Sequence, residues 1–254
     1  MLPCVFAGIL TALCIMSELF TCGDPVKWRR WLDLYWDVVE AKEKGKKAGK
    51  LLNLDKWYQE ELPTLISSRA DKHINQSELV KLMEWKLTWS FGESFLQRGK
   101  FRPRLQQLVA SNSDDSVQKC SRQAFSVLPD VQAAITELSL LKGVGPATAS
   151  AVLAAGAPEQ TAFMSDEAME GVPGLKPIQY TAKHYALYLK HMMERTENLN
   201  KVDPQKGWTP HKLEMCLWAM TINSKQKLEL LKDVEQEKTF NDETEKPAKR
   251  LRTR

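Results

Sequence analysis

The stretch Leu140-Leu-Lys-Gly-Val-Gly-Pro-Ala-Thr-Ala-Ser-Ala-Val-Leu-Ala154 decides how this chain is read. On its N-terminal side Val131, Ala134, Ile135, Leu138 and Leu141 recur at helical spacing, and Asp130 stands where an N-cap belongs. Gly143 suits the left-handed turn at a helix C-terminus. Gly145 can cap the next helix, and Pro146 fills its first position, where a missing N–H costs nothing. Ala149, Val152 and Leu153 give that second helix an apolar face. The spacing predicts two short helices joined by a tight Gly-Val-Gly hairpin.

Such a hairpin has a chemistry of its own. Its glycines let backbone come close to a ligand, and the free N–H groups at the start of the second helix point outward. That helix end carries partial positive charge and suits a phosphate. No base edge is read by such a contact, so it is blind to nucleic-acid sequence. The competing reading is a core turn whose glycines only end one helix and start the next.

Leu-Lys-Gly-Val-Gly-Pro-Ala-Thr-Ala at 141–149 resembles the helix-hairpin-helix of the HhH-GPD superfamily of DNA glycosylases, whose pattern runs Leu-x-Gly-Val-Gly-x-x-Thr-Ala. In that superfamily a Gly/Pro-containing loop and a catalytic aspartate follow the second helix. Here Gly156-Ala-Pro158 is followed by Phe163-Met-Ser-Asp166-Glu167. The resemblance implies Asp166 as the catalytic carboxylate, and DNA-backbone contact by Lys142, Gly143, Val144, Gly145, Ala147 and Thr148. More closely, the stretch from His73 to about Ala219 is similar to the Amun-type glycosylase-like proteins, more than half of the chain. Superfamily members that also nick the strand carry a lysine just inside the second hairpin helix. Ala147 occupies that place, so no Schiff base can form there and a monofunctional glycosylase without lyase activity is implied. Some members hold an iron–sulfur cluster on four cysteines after the hairpin. Only Cys216 follows it here, so no cluster is expected.

Composition sets limits on these readings. The chain has 254 residues, 43% of them hydrophobic, with eight tryptophans, which argues against global disorder. A net charge of +4 is mild for a dedicated nucleic-acid domain, so DNA affinity has to come from local clusters. Cys4, Cys14, Cys22, Cys120 and Cys216 show neither zinc-site nor disulfide-framework spacing. They read as reduced thiols, with no metal and no cofactor. His184, His191 and His211 show no metal-like clustering and read as surface or packing residues.

Residues 1–22 begin with an uncharged run from Leu2 to Ser17, too short to span a bilayer comfortably. It lacks the basic start of a secretory signal, so 1–15 read as an alternative extension and no membrane partner is expected. A helical domain is expected over 23–235. Asp24-Pro25 opens its first helix, with Trp28, Trp31, Leu32, Tyr35 and Val39 on one face as core. Lys42–Lys50 read as a solvated basic loop. Further helices are predicted over 51–70, 77–87, 105–110, 117–128, 181–195 and from Thr209. No strand pattern of useful length is present, and the predicted fold class is all-α.

Residues 89–97 look like an insertion relative to the similar proteins. Immediately after it Arg98, Lys100, Arg102 and Arg104 surround Phe101, a basic–aromatic mix suited to phosphates. A helix-capping loop over a buried Phe101 is the alternative. From about 236 the chain is charged and poor in hydrophobics, so a disordered tail is expected. Its end, Lys246-Pro-Ala-Lys-Arg-Leu-Arg-Thr-Arg254, resembles a nuclear localisation signal.

Cleaving an N-glycosidic bond needs an extruded base and a carboxylate beside the sugar. Asp166 fits that need, yet Ser165-Asp-Glu is also an ordinary helix-capping sequence. The expectation is a monomeric nuclear DNA-binding protein resembling a glycosylase. One alternative is a chromatin-associated scaffold without the chemistry. Another is a helical interaction module that presents the Trp-rich N-terminal helices.

Overall fold

A computed structural model describes residues 19–44, 49–89, 102–226 and 228. These form helices and connecting turns, with no strand among the described residues. The expected all-α class is what is found. In order, the helices are α1 (Pro25–Asp33), α2 (Tyr35–Glu43), α3 (Lys50–Lys56), a π-helical turn (Trp57–Glu61), α4 (Leu62–Ser67) and α5 (Gln76–Trp89). Then come α6 (Arg102–Ala110), α7 (Asp114–Ser126), α8 (Val131–Leu138), α9 (Pro146–Gly156), α10 (Asp166–Gly171), α11 (Ala182–Val202) and α12 (Pro210–Gln226).

Two helices are largely buried, and the others gather around them. From Thr148 to Gly156 each residue of α9 is buried, which its small side chains permit. Gly156 shows how close the packing is: a Cβ there would come within 2.4 Å of the Phe125 ring. Around α9 pack α4, α5, α7 and α8. The second centre is α12, whose Leu213, Cys216, Leu217, Trp218, Ala219 and Met220 are all buried. It is wrapped by α1, α2, α10 and α11. The segment from Ala157 to Ser165 leads from the first centre to the second and delivers Asp166.

Several boundaries differ from the sequence reading. The first helix breaks at Leu34, which ends α1 and starts α2. The expected solvated loop at Lys42 is instead the last turn of α2. Lys42 is buried with its ammonium 5.0 Å from the centre of the Trp218 ring, and Glu43 accepts the Leu51 amide at 2.7 Å. Residues 50–67 form one continuous run, interrupted by the π-helical turn. The helix before the hairpin ends at Leu138, so Gly143 lies in the following turns rather than at the helix end itself.

Trp28 and Trp31 are buried, as the core reading of their stripe required. Their burial removes them from the interaction-module reading, since core tryptophans present no surface to a partner. The extension at 1–15, nearly all of the 89–97 insertion and the tail from 236 lie outside the described residues.

Candidate nucleic-acid interface

The hairpin turns on Gly143, whose φ of +78° is a left-handed conformation that side chains disfavour. Packing makes the same demand. A Cβ on Gly143 would stand 3.0 Å from Leu108 Cβ and from Val109 Cγ2, against α6. Gly145 differs in both respects. Its φ of −110° is ordinary extended backbone, a Cβ there would meet nothing within 4 Å, and the residue is exposed.

Asn112, in the turn between α6 and α7, clamps this loop. Its Oδ1 accepts the Lys142 amide at 2.9 Å, and its Nδ2 donates to the Lys142 carbonyl at 3.0 Å. The same Nδ2 reaches the Val109 carbonyl at 2.9 Å, which ties the hairpin to the end of α6. Thus the loop following Leu141 is held on two sides, by packing at Gly143 and by hydrogen bonds at Lys142.

Amide donors divide accordingly. The Val144 amide donates to the Leu141 carbonyl, and the Thr148 and Ala149 amides both donate to Gly145 O. The Gly143, Gly145 and Ala147 amides donate to no acceptor among the described residues. Lys142 and Gly145 are exposed, while Gly143 and Ala147 are half-buried. Val144 and Thr148 are correspondingly not surface contacts. Val144 is buried, and the buried Thr148 uses its Oγ1 to accept Lys86 Nζ at 2.9 Å. Both support the hairpin from behind, because a helix start needs an inward face as well as an outward one.

Of the basic cluster, Arg104 is exposed on the first turn of α6, and Arg102 begins that helix. Arg98, Lys100 and Phe101 lie outside the described residues.

Asp166 opens α10 and is half-buried. Tyr180, itself 44% exposed, donates its hydroxyl to Asp166 Oδ1. The four residues before Asp166 are each fixed by a side chain from another helix. Tyr185 and Tyr188 of α11 donate to the carbonyls of Ala162 and Phe163 at 3.1 and 3.2 Å. Ser150 of α9 accepts the Met164 amide at 3.0 Å. Ser165, the N-cap of α10, donates its hydroxyl to Glu214 Oε1 of α12 at 2.6 Å. The Ser150 bond ties the approach to Asp166 directly to the helix that the hairpin starts.

Glu214 belongs to a buried polar chain that the sequence reading missed. His211 Nδ1 lies 3.6 Å from Glu214 Oε2, too far for a hydrogen bond, and has no other partner. His211 Nε2 meets Gln59 Oε1 at 2.8 Å, and Gln59 Nε2 donates to the Tyr35 hydroxyl at 3.0 Å. Tyr35 and Trp85 both donate to Asp55, each at 2.9 Å. Gln59 sits in the π-helical turn, where one extra residue lets its amide face both α2 and α12.

Burial pushes the Glu214 carboxyl up to about 8, against the lowering effect of the Ser165 bond. Burial likewise lowers His211 to about 4. The pair has the proximity of a salt bridge, but around neutrality it is an acid facing a neutral imidazole. Desolvation decides this, since neither charge has a compensating partner in the core.

Among the described residues no cluster of histidine, cysteine or acidic side chains suits a metal, and no helix is long and apolar enough to cross a membrane. No family model, curated protein or solved structure matches the chain.

Proposed function

We propose that this protein binds the DNA backbone through the start of α9 and resembles in activity a monofunctional DNA glycosylase, with Asp166 as its reacting carboxylate. One observation carries the reading. The exposed Gly145 and the free amides of Gly145 and Ala147 stand at the N-terminus of a helix whose Ser150 also holds the approach to Asp166. Positive helix-end charge and free donors favour a phosphate, and a carboxylate favours the positive charge that develops at an anomeric carbon. Exposed Lys142 and Arg104 add cations on the hairpin and on α6. Ala147 offers no amine, so strand cleavage through a Schiff base at that position is not part of the proposal. The basic end Lys246–Arg254 supports a nuclear location, with DNA and associated chromatin proteins as partners.

The test pairs two substitutions. Gly145→Asp places a favoured N-cap residue where the backbone accepts any side chain, so the fold should hold. Its carboxylate would occupy the free amides and repel phosphate. DNA affinity should fall about tenfold or more, equally across unrelated sequences, with the salt dependence flattened. Unchanged affinity would remove the hairpin from the interface. Asp166→Asn is then compared with wild type on duplexes carrying damaged or mismatched bases. Base release that disappears in Asp166→Asn supports the enzyme; DNA binding without release in either protein leaves the scaffold reading.

A further inference from the structure

Ser165 is the N-cap of α10, and a side-chain oxygen in that position normally needs only the amide it accepts. Here it accepts the Ala168 amide at 3.3 Å and also spends its own proton on Glu214 at 2.6 Å. Burying a carboxyl group is costly unless its oxygens find partners. An apolar residue at 214 would avoid that cost. The bond to Ser165 is what an apolar residue could not make.

We propose that Glu214 is a positioning residue for Asp166: acting through Ser165, it fixes the first turn of α10 and with it the direction of the Asp166 carboxylate. The inference rests on the reading of Asp166 as the reacting group. Asp166 is the first residue of α10, so any rotation of the cap turns its side chain directly. The other fixings upstream hold Ala162, Phe163 and Met164 through backbone atoms. Among these upstream fixings the Glu214 bond acts at the residue immediately before Asp166, while Tyr180 bonds the Asp166 carboxylate itself. On the far side, Thr221 donates to the Glu167 carbonyl at 3.1 Å, so α12 grips α10 at two of its turns.

Amide hydrogen exchange tests this without assuming any enzymatic activity. In Glu214→Leu the protection of the Ala168 and Met169 amides should fall about tenfold or more, while that of Ala149 at the hairpin stays within about twofold. Glu214→Gln keeps an uncharged acceptor and should restore wild-type protection. Should Glu214→Leu fail to fold, Ser165→Ala removes the same bond from its other end and should loosen α10 alike. Unchanged α10 protection in both Glu214→Leu and Ser165→Ala overturns the inference, as does a glutamine variant as loose as the leucine one. Base release adds a separate axis. Its absence in wild type, with the exchange pattern as described, sinks the catalytic reading of Asp166 and leaves the positioning of α10 standing.

Discussion

Gly143 and Gly145 stand two residues apart and are glycine for different reasons. Gly143 combines positive φ with a setting in which a Cβ would stand 3.0 Å from two side chains of α6. Gly143→Ala should therefore cost roughly 1–3 kcal/mol, from left-handed backbone and crowding together. Gly145→Ala meets open space in extended backbone, and its effect should stay within about 1 kcal/mol. Urea unfolding of the two variants checks the contrast, and equal midpoints would refute it. The sequence pattern displayed both glycines but could not separate their roles. Only the packing of Leu108 and Val109 beneath the turn does that, and those residues lie more than thirty positions upstream. Glu214 was illegible for a related reason. A lone acid among apolar residues at helical spacing looks like the solvent face, unless the helix is known to be covered all round.

At the scale of elements, the hairpin is stiff because Asn112 bonds both backbone groups of Lys142. Asn112→Ala should cost about 1–2 kcal/mol and raise exchange at Lys142 and Val144, with DNA affinity falling severalfold. Unaltered hairpin exchange would show that the Gly143 contact alone holds the loop. Helix positions were largely readable from periodicity and caps: Asp24, Asp130 and Ser165 all cap helices through their side chains. Asn112 falls between the helices predicted over 105–110 and 117–128, and a clamp made by one asparagine leaves no periodic trace. The π-helical turn was equally hidden. Its extra residue shifts the register of a continuous helix without interrupting its apolar pattern, and Trp57, Tyr58 and Leu62 remain buried through it. The seat of Asp166 was half visible. Its capping role was in the sequence, whereas the four side chains fixing Ala162–Ser165 come from three other helices.

For the molecule as a whole, two buried groups shape stability against pH in opposite directions. Glu214 moves from an ordinary 4.5 to about 8, so the stability tied to its neutral form is full below about 4.5 and lost as pH rises to 8. His211 moves from 6.5 to about 4, so its contribution is full above 6.5 and lost as pH falls towards 4. Between about 4.5 and 6.5 the two slopes offset each other. Above 6.5 Glu214 acts alone, and stability should fall by on the order of 1 kcal/mol per pH unit up to about 8. Thermal unfolding from pH 5 to 8.5 should show a plateau followed by a decline, and Glu214→Gln should flatten the decline. A wild type equally stable at pH 6 and 8 would rule out an uncompensated acid at that position. The sealed core also has an optical corollary. Four of the five tyrosines, at 35, 58, 185 and 188, are buried, and burial pushes the pKa of all four phenols above its usual range. Phenolate absorbance developed in alkali would then arrive in one large step, reporting collapse of the fold from within and without an attached dye.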